Sequence, residues 1–217
     1  MEFVLVIIAG AILGFIIHRA ADVIPAHYPI LNISFPMRAW SVPIINALLF
    51  AVLWIQFGAS LKFAMTAIYT LVFLAVLIID FERRIIPNMI ILPAILFAAL
   101  ASFLLPRWQL ALLGGVTAFV IVLIIYISAI AFGRWRKLRI QGGVFGQGDV
   151  TLATFTGLVT GFPGAFNAII YTIFLGGLGA ILFLIYHYIK TRQLALTAAI
   201  PYGPFFCIAG WMIMVFQ

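Results

Sequence analysis

Acidic side chains are scarce in this chain: Asp and Glu together number five among 217 residues, and all charged types make up only 8%. A soluble domain draws about a quarter of its residues from Asp, Glu, Lys and Arg. Without them, a chain of this length cannot cover its apolar side chains with polar surface. With 66% of its residues hydrophobic, its solvent has to be lipid. Cysteine is nearly absent too. Cys207 stands alone, which excludes an internal disulfide, and it has no Cys or His partner at ligand spacing, so no metal site is expected. The 12 Lys and Arg residues give a net charge of +7, but they are scattered between apolar runs. No continuous basic face with interleaved aromatics exists, so nucleic acid is not an expected partner. A positive n-region is also missing, since Met1-Glu2 leads straight into apolar sequence with no small-x-small cleavage site after it. The first run therefore reads as a retained span.

What the chain has in abundance is long apolar runs. They fall at 2–18, 42–58, 62–80, 87–105, 109–132, 150–162, 165–188 and 199–216. Their lengths predict an all-α polytopic membrane protein of about eight transmembrane helices. Breakers separate them: Gly58-Ala59-Ser60, Pro87, Pro106, Gly142-Gly143, Gly161-Phe162-Pro163-Gly164, and Pro201 with Pro204. Pro87 fits the first turn of a helix, where its missing N–H costs nothing. No internal repeat or low-complexity tract interrupts the series.

The sixth run is short, and charge bias decides how to read it. If all eight runs cross and both termini lie outside the cytoplasm, the cytoplasmic loops hold every Lys and Arg except Lys62 and Arg107. If the sixth does not cross, Lys190 and Arg192 move outside as well. The positive-inside rule favours eight spans. The basic stretch Arg134, Trp135, Arg136, Lys137 and Arg139 then fixes orientation and meets anionic lipid headgroups.

In this topology Asp80 closes the third span and Asp149 opens the sixth, at the same cytoplasmic face. Each has an ordinary explanation. Asp80 can pair with Arg83 or Arg84, and Asp149 can be the N-cap of the helix beginning at Val150. Glu82 reads as a solvated loop charge, Glu2 and Asp22 as terminal and loop residues, and His18, His27 and His187 as isolated. Together, however, two carboxylates within a few ångströms cannot easily both ionise, and they titrate as a unit. Such a dyad activates a water while its protonated member polarises a peptide carbonyl. Gly146 and Gly148, lacking Cβ, let a substrate backbone approach closely and allow unusual φ.

Four stretches resemble the type IV prepilin peptidases, the bacterial branch of the Gly-x-Gly-Asp aspartyl proteases of the membrane. They are Gly10–Arg19, Ile79-Asp80 with Ile86-Pro87-Asn88, Gly146-Gln147-Gly148-Asp149-Val150, and Ile200-Pro201-Tyr202-Gly203-Pro204-Phe205. The resemblance spans nearly the whole chain in order. It implies a single integral-membrane peptidase domain over 1–217, in the bacterial inner membrane with its active site facing the cytoplasm. Asp80 and Asp149 would be the catalytic pair and prepilin or pseudopilin proteins the substrates, with membrane lipid as the other partner. Gly146, Gly148, Pro87, Pro201 and Pro204 would line the substrate site, although Pro201 and Pro204 can equally shape the start of the last helix. Many members also N-methylate the new N-terminus and carry a long insert with two Cys-x-x-Cys pairs between the first two spans. Here that loop, about residues 19–41, is short and free of cysteine. The form expected is a peptidase without bound zinc, cofactor or methyltransferase activity. Two alternatives stay open. In a proton- or ion-coupled transporter the carboxylates would form a relay, but no acid falls mid-span and no repeat is evident. In a non-catalytic pilus or secretion assembly protein only the fold would be kept.

Overall fold

In lipid every backbone N–H and C=O must be satisfied within the protein, and a helix does this within one segment. The computed structural model describes residues 1–23, 37–135, 146–192 and 201–217, and among these the regular elements are all helices. They are α1 (Glu2–Val23), α2 (Arg38–Phe57), α3 (Leu61–Arg83), α4 (Asn88–Ser102), α5 (Trp108–Trp135), α6 (Gln147–Thr160), α7 (Gly164–Thr191) and α8 (Gly203–Phe216). His27, Arg136, Lys137, Arg139, the Gly142-Gly143 break and Ile200 lie outside the described residues. The protein is an all-α polytopic membrane protein. Five helices, α1, α2, α3, α5 and α7, are long and apolar enough to cross a bilayer. α4 and α8 are shorter apolar helices, and α6 has 14 residues.

The breakers end helices as expected, by identifiable contacts. Gly58 closes α2 at φ 56°, and the Ser60 side chain caps α3 by accepting from the Phe63 N–H at 3.1 Å. Most boundaries shift by a few residues from the sequence reading, and two of the shifts have a clear cause. α1 continues past the apolar run to Val23, because Ala20 and Ala21 carry no cost in a helix and Ala21 is buried. Pro87 takes the N-cap position just before α4, where its carbonyl accepts from Ile90 and Ile91.

Helix α3 is the most buried of the five long helices. Of its apolar stretch 61% is buried, against 17–28% in the other four long helices. Large apolar side chains such as Ile12, Leu48, Ile124, Phe174 and Leu182 stay exposed and form a lipid-facing exterior. Small residues set the closest helix crossings. Gly10 and Gly14 bring α1 against α2, where the Asn46 amide donates to the Gly10 carbonyl at 2.7 Å. Gly114 and Gly157 bring the backbones of α5 and α6 together, and Gly176 and Gly179 of α7 accept Tyr202 and Phe205. α8 fills the space between α3 and α6. Its Trp211 indole donates to the Thr70 hydroxyl at 2.9 Å, and Gly210 lies against Phe73 of α3 and Thr156 of α6. Phe155 of α6 reaches past it to make edge contacts with Tyr69 and Phe73.

Candidate active site

Asp80 lies in the last turn of α3 and is 5% exposed. The turn is closed by Arg84, which adopts the left-handed conformation at φ 55° and donates its N–H to the Asp80 carbonyl at 2.8 Å. The helix thus stops directly beyond the carboxylate. Gly203, the first residue of α8, lies against that carboxylate so closely that an added Cβ would stand 2.9 Å from Asp80 Cγ. The Gly203 backbone amide is turned toward Asp80, yet Oδ2 is buried and has no hydrogen-bond partner among the described residues. Arg84 is within electrostatic reach, but neither it nor Arg83 forms an ion pair with Asp80 among these residues. A buried carboxylate with one oxygen unmatched among the described residues is costly, so its position needs a reason other than stability.

Asp149 is the third residue of α6 rather than its N-cap. Its Oδ2 accepts from the Gly146 N–H at 2.9 Å, and because glycine has no side chain, only the returning half of a capping box forms. Gly148 packs on the link between α3 and α4, where an added Cβ would lie 2.8 Å from Ile86 Cβ. The first turn of α6 is therefore held beside the end of α3. Asp80 and Asp149 come within electrostatic reach of each other, and the buried Cys207, one turn into α8, interacts with both. Three helix ends, those of α3, α6 and α8, thus converge at one end of the bundle.

The other expected residues are placed less pointedly. Gly146 is exposed with φ −92°, and neither it nor Gly148 adopts positive φ. The backbone freedom anticipated for them is unused, and the small size of Gly148 serves its contact with Ile86. Pro87 is buried beside Ile86, Pro204 is buried in the first turn of α8, and Pro201 is partly buried just before it. Among the described residues, no group of three His, Cys, Asp or Glu side chains is placed to hold a metal ion.

Sequence reasoning missed a second polar cluster on the far side of α3. Glu82 is not a solvated loop charge. It belongs to α3, is 5% exposed, and pairs with Arg38. Asp22 lies within α1, not in a loop, and pairs with the same guanidinium, while His18 accepts from Arg38 Nε at 3.0 Å. Charges near helix ends usually face water, and here the approach of α1 and α2 to α3 encloses Glu82 and Arg38 instead, while Asp22 keeps half of its side chain exposed. Gly203 and Cys207 were also missed as neighbours of Asp80. The Pro-Tyr-Gly-Pro run pointed to the first of them, and nothing local pointed to the second.

The fold is that of an all-α polytopic membrane protein, and it gathers two carboxylates at one end of its helices. The chain belongs to the type IV leader peptidase family, whose model matches residues 67–185. That span contains Asp80, Glu82, Pro87, Gly146, Gly148 and Asp149, while Arg38, Gly203 and Cys207 lie outside it. The chain is also similar to the prepilin leader peptidase/N-methyltransferase of Bacillus subtilis (strain 168), with 29% identity over 176 residues. The alignment covers 80% of this chain and 63% of that relative's length. No solved structure matches significantly.

Proposed function

We propose that this protein is an aspartyl endopeptidase of the bacterial inner membrane that removes the leader from prepilin or pseudopilin substrates at the cytoplasmic face. In this reading all eight helices cross the bilayer, both termini lie outside the cytoplasm, and residues 1–217 act as one peptidase domain. The observation that carries it is the buried Oδ2 of Asp80, without a hydrogen-bond partner among the described residues, at the same end of the bundle as Asp149. That oxygen has hydrogen-bonding capacity the described residues leave unused, which a water or a substrate carbonyl can take up once α8 gives way slightly.

Hydrolysis then needs one proton shared by two acids. The ionised carboxylate takes a proton from a water held between the pair, and the oxygen of that water attacks the scissile carbonyl carbon. The protonated partner donates to the carbonyl oxygen as negative charge develops there. The tetrahedral adduct collapses with the C–N bond breaking: the departing amine takes a proton from the first acid, and an adduct hydroxyl returns its proton to the second, which restores the singly protonated pair. Coupled carboxylates acting this way give a bell-shaped dependence of rate on pH. Pro87, Gly146, Gly148, Pro201 and Pro204 would border the substrate, whose extended backbone enters beside the first turns of α6 and α8. The absence of a cysteine-rich loop between α1 and α2 supports a peptidase without the methyltransferase activity named for the Bacillus relative.

The test is cleavage of a purified prepilin by the purified protein in detergent. Asp80→Asn and Asp149→Asn should each lower kcat by about 10³-fold or more, with melting temperature and helical circular dichroism retained. Wild-type cleavage by either variant would rule out the acid pair.

A further inference from the structure

Arg38 opens α2 and is 8% exposed. Its guanidinium donates to Glu82 Oε2, to Asp22 Oδ1, to His18 Nδ1 at 3.0 Å and to the His18 carbonyl at 3.4 Å. His18 and Asp22 are four residues apart and share one face of α1. One side chain therefore ties the last turns of α1 and α3 to the first residue of α2. On α3, Glu82 follows Asp80 by two residues, which places the two carboxylates about 200° apart around the helix. Asp80 faces α8, and Glu82 faces α1 and α2. The final turn of α3 is held from both sides at the level of Asp80.

Stability alone does not account for this arrangement. Replacing a buried ion pair by well-packed apolar side chains is often neutral or stabilising. What a forked, multiply bonded guanidinium adds is direction, because it permits one rotation of α3 about its axis and one endpoint. The α1–α2 hairpin that supplies it lies outside the matched family span of 67–185.

We propose that Arg38 is a positioning residue for the acid pair: by bridging Glu82 to α1, it fixes the rotation and the ending of α3 and so the place of the Asp80 carboxylate relative to Asp149. As a statement about catalysis this rests on the peptidase reading above. Cys207 supplies a readout independent of cleavage, since it is the sole cysteine of the chain, is buried, and stands one turn along α8 from Gly203, which packs against the Asp80 carboxylate.

The experiment compares wild type with Arg38→Ala, Arg38→Lys and the double variant Arg38→Met/Glu82→Gln. The double variant leaves no buried charge without its partner and guards against simple unfolding. Arg38→Ala and the double variant should lower kcat by about tenfold or more with KM changed by less than about twofold, since a displacement near 1 Å costs up to about 10² in rate. The double variant should melt close to wild type, and Arg38→Lys should recover part of the lost kcat. Maleimide should alkylate Cys207 about tenfold faster in Arg38→Ala and in the double variant. Wild-type kcat in the double variant, or unchanged alkylation in both, overturns the proposal. Asp80→Asn is assayed alongside. If it cleaves normally, the peptidase reading fails by itself, and the alkylation rates alone decide whether Arg38 holds α3 in place.

Discussion

Replacing Gly203 by alanine adds one methyl group against the Asp80 carboxylate, and its effect can be worked out from the packing. Gly203 begins α8 without positive φ, so the backbone accepts alanine, which is the better helix former. The cost is therefore steric. The new Cβ would stand 2.9 Å from Asp80 Cγ and 3.3 Å from Asp80 Cβ. Unstrained carbon contacts lie at about 3.5–4.0 Å, so the carboxylate or the start of α8 has to move by roughly 0.6 Å or more. Overpacking of this kind costs about 1–3 kcal/mol of stability. Displacement of a reacting group by up to 1 Å costs up to about 10² in rate, so we expect kcat to fall about 10- to 100-fold. The assay is prepilin cleavage in detergent with kcat and KM determined separately, alongside thermal unfolding. Gly210→Ala is the control. Its Cβ would meet Thr156 Cγ2 at 2.7 Å and Phe73 Cζ at 3.0 Å, a similar clash on the same helix but about 10 Å farther along it. That variant should lose comparable stability and keep kcat within about threefold of wild type. If Gly203→Ala cleaves as fast as wild type, or Gly210→Ala loses as much activity, contact between Gly203 and Asp80 does not govern the reaction.

Gly148→Ala should lower both melting temperature and kcat, because its Cβ would lie 2.8 Å from Ile86 Cβ, at a cost of about 1–3 kcal/mol. Adding Ile86→Ala should restore much of both, and a double-mutant cycle with no coupling would refute the contact. Gly157→Ala places a methyl 2.7 Å from Ala118 Cβ and 2.9 Å from the Gly114 carbonyl carbon, and backbone there cannot yield as a side chain can. We expect a loss of about 3 kcal/mol or more, seen as a large drop in melting temperature, and an unchanged melt would argue against the close α5–α6 crossing.

Much of the fold was legible because lipid narrows the choices. An apolar run bounded by Gly, Pro or Ser has to be a helix in a bilayer, and each of the eight runs contains one. The scarcity of acids singled out Asp80 and Asp149 as candidates, since few other carboxylates compete for attention and the expected topology puts these two at one face. What remained hidden depended on contacts distant in sequence. Glu82 and Arg38 are 44 positions apart, and no local pattern distinguishes a buried pair from two solvated charges at helix ends. Gly148 and Gly203 were visible as glycines in motifs, but their use lies in the atoms they meet, Ile86 and the Asp80 carboxylate, which only packing reveals. Asp149 was legible as part of a helix start and misplaced within it, because Gly146 leaves the cap position without a side chain and the acid reaches back from the third residue.

The modest lengths of α6 and α8 bear on how a substrate reaches the acid pair. With 14 residues each they rise about 21 Å, some 9 Å less than the apolar thickness of a typical membrane. Neither is a lone span in lipid, because α6 packs against α4, α5, α7 and α8, and α8 packs against α3, α6 and α7. The first turns of both helices border the acid pair, so under the proposed reading a substrate reaches it between neighbouring helices, with protein and not hydrocarbon to be parted there.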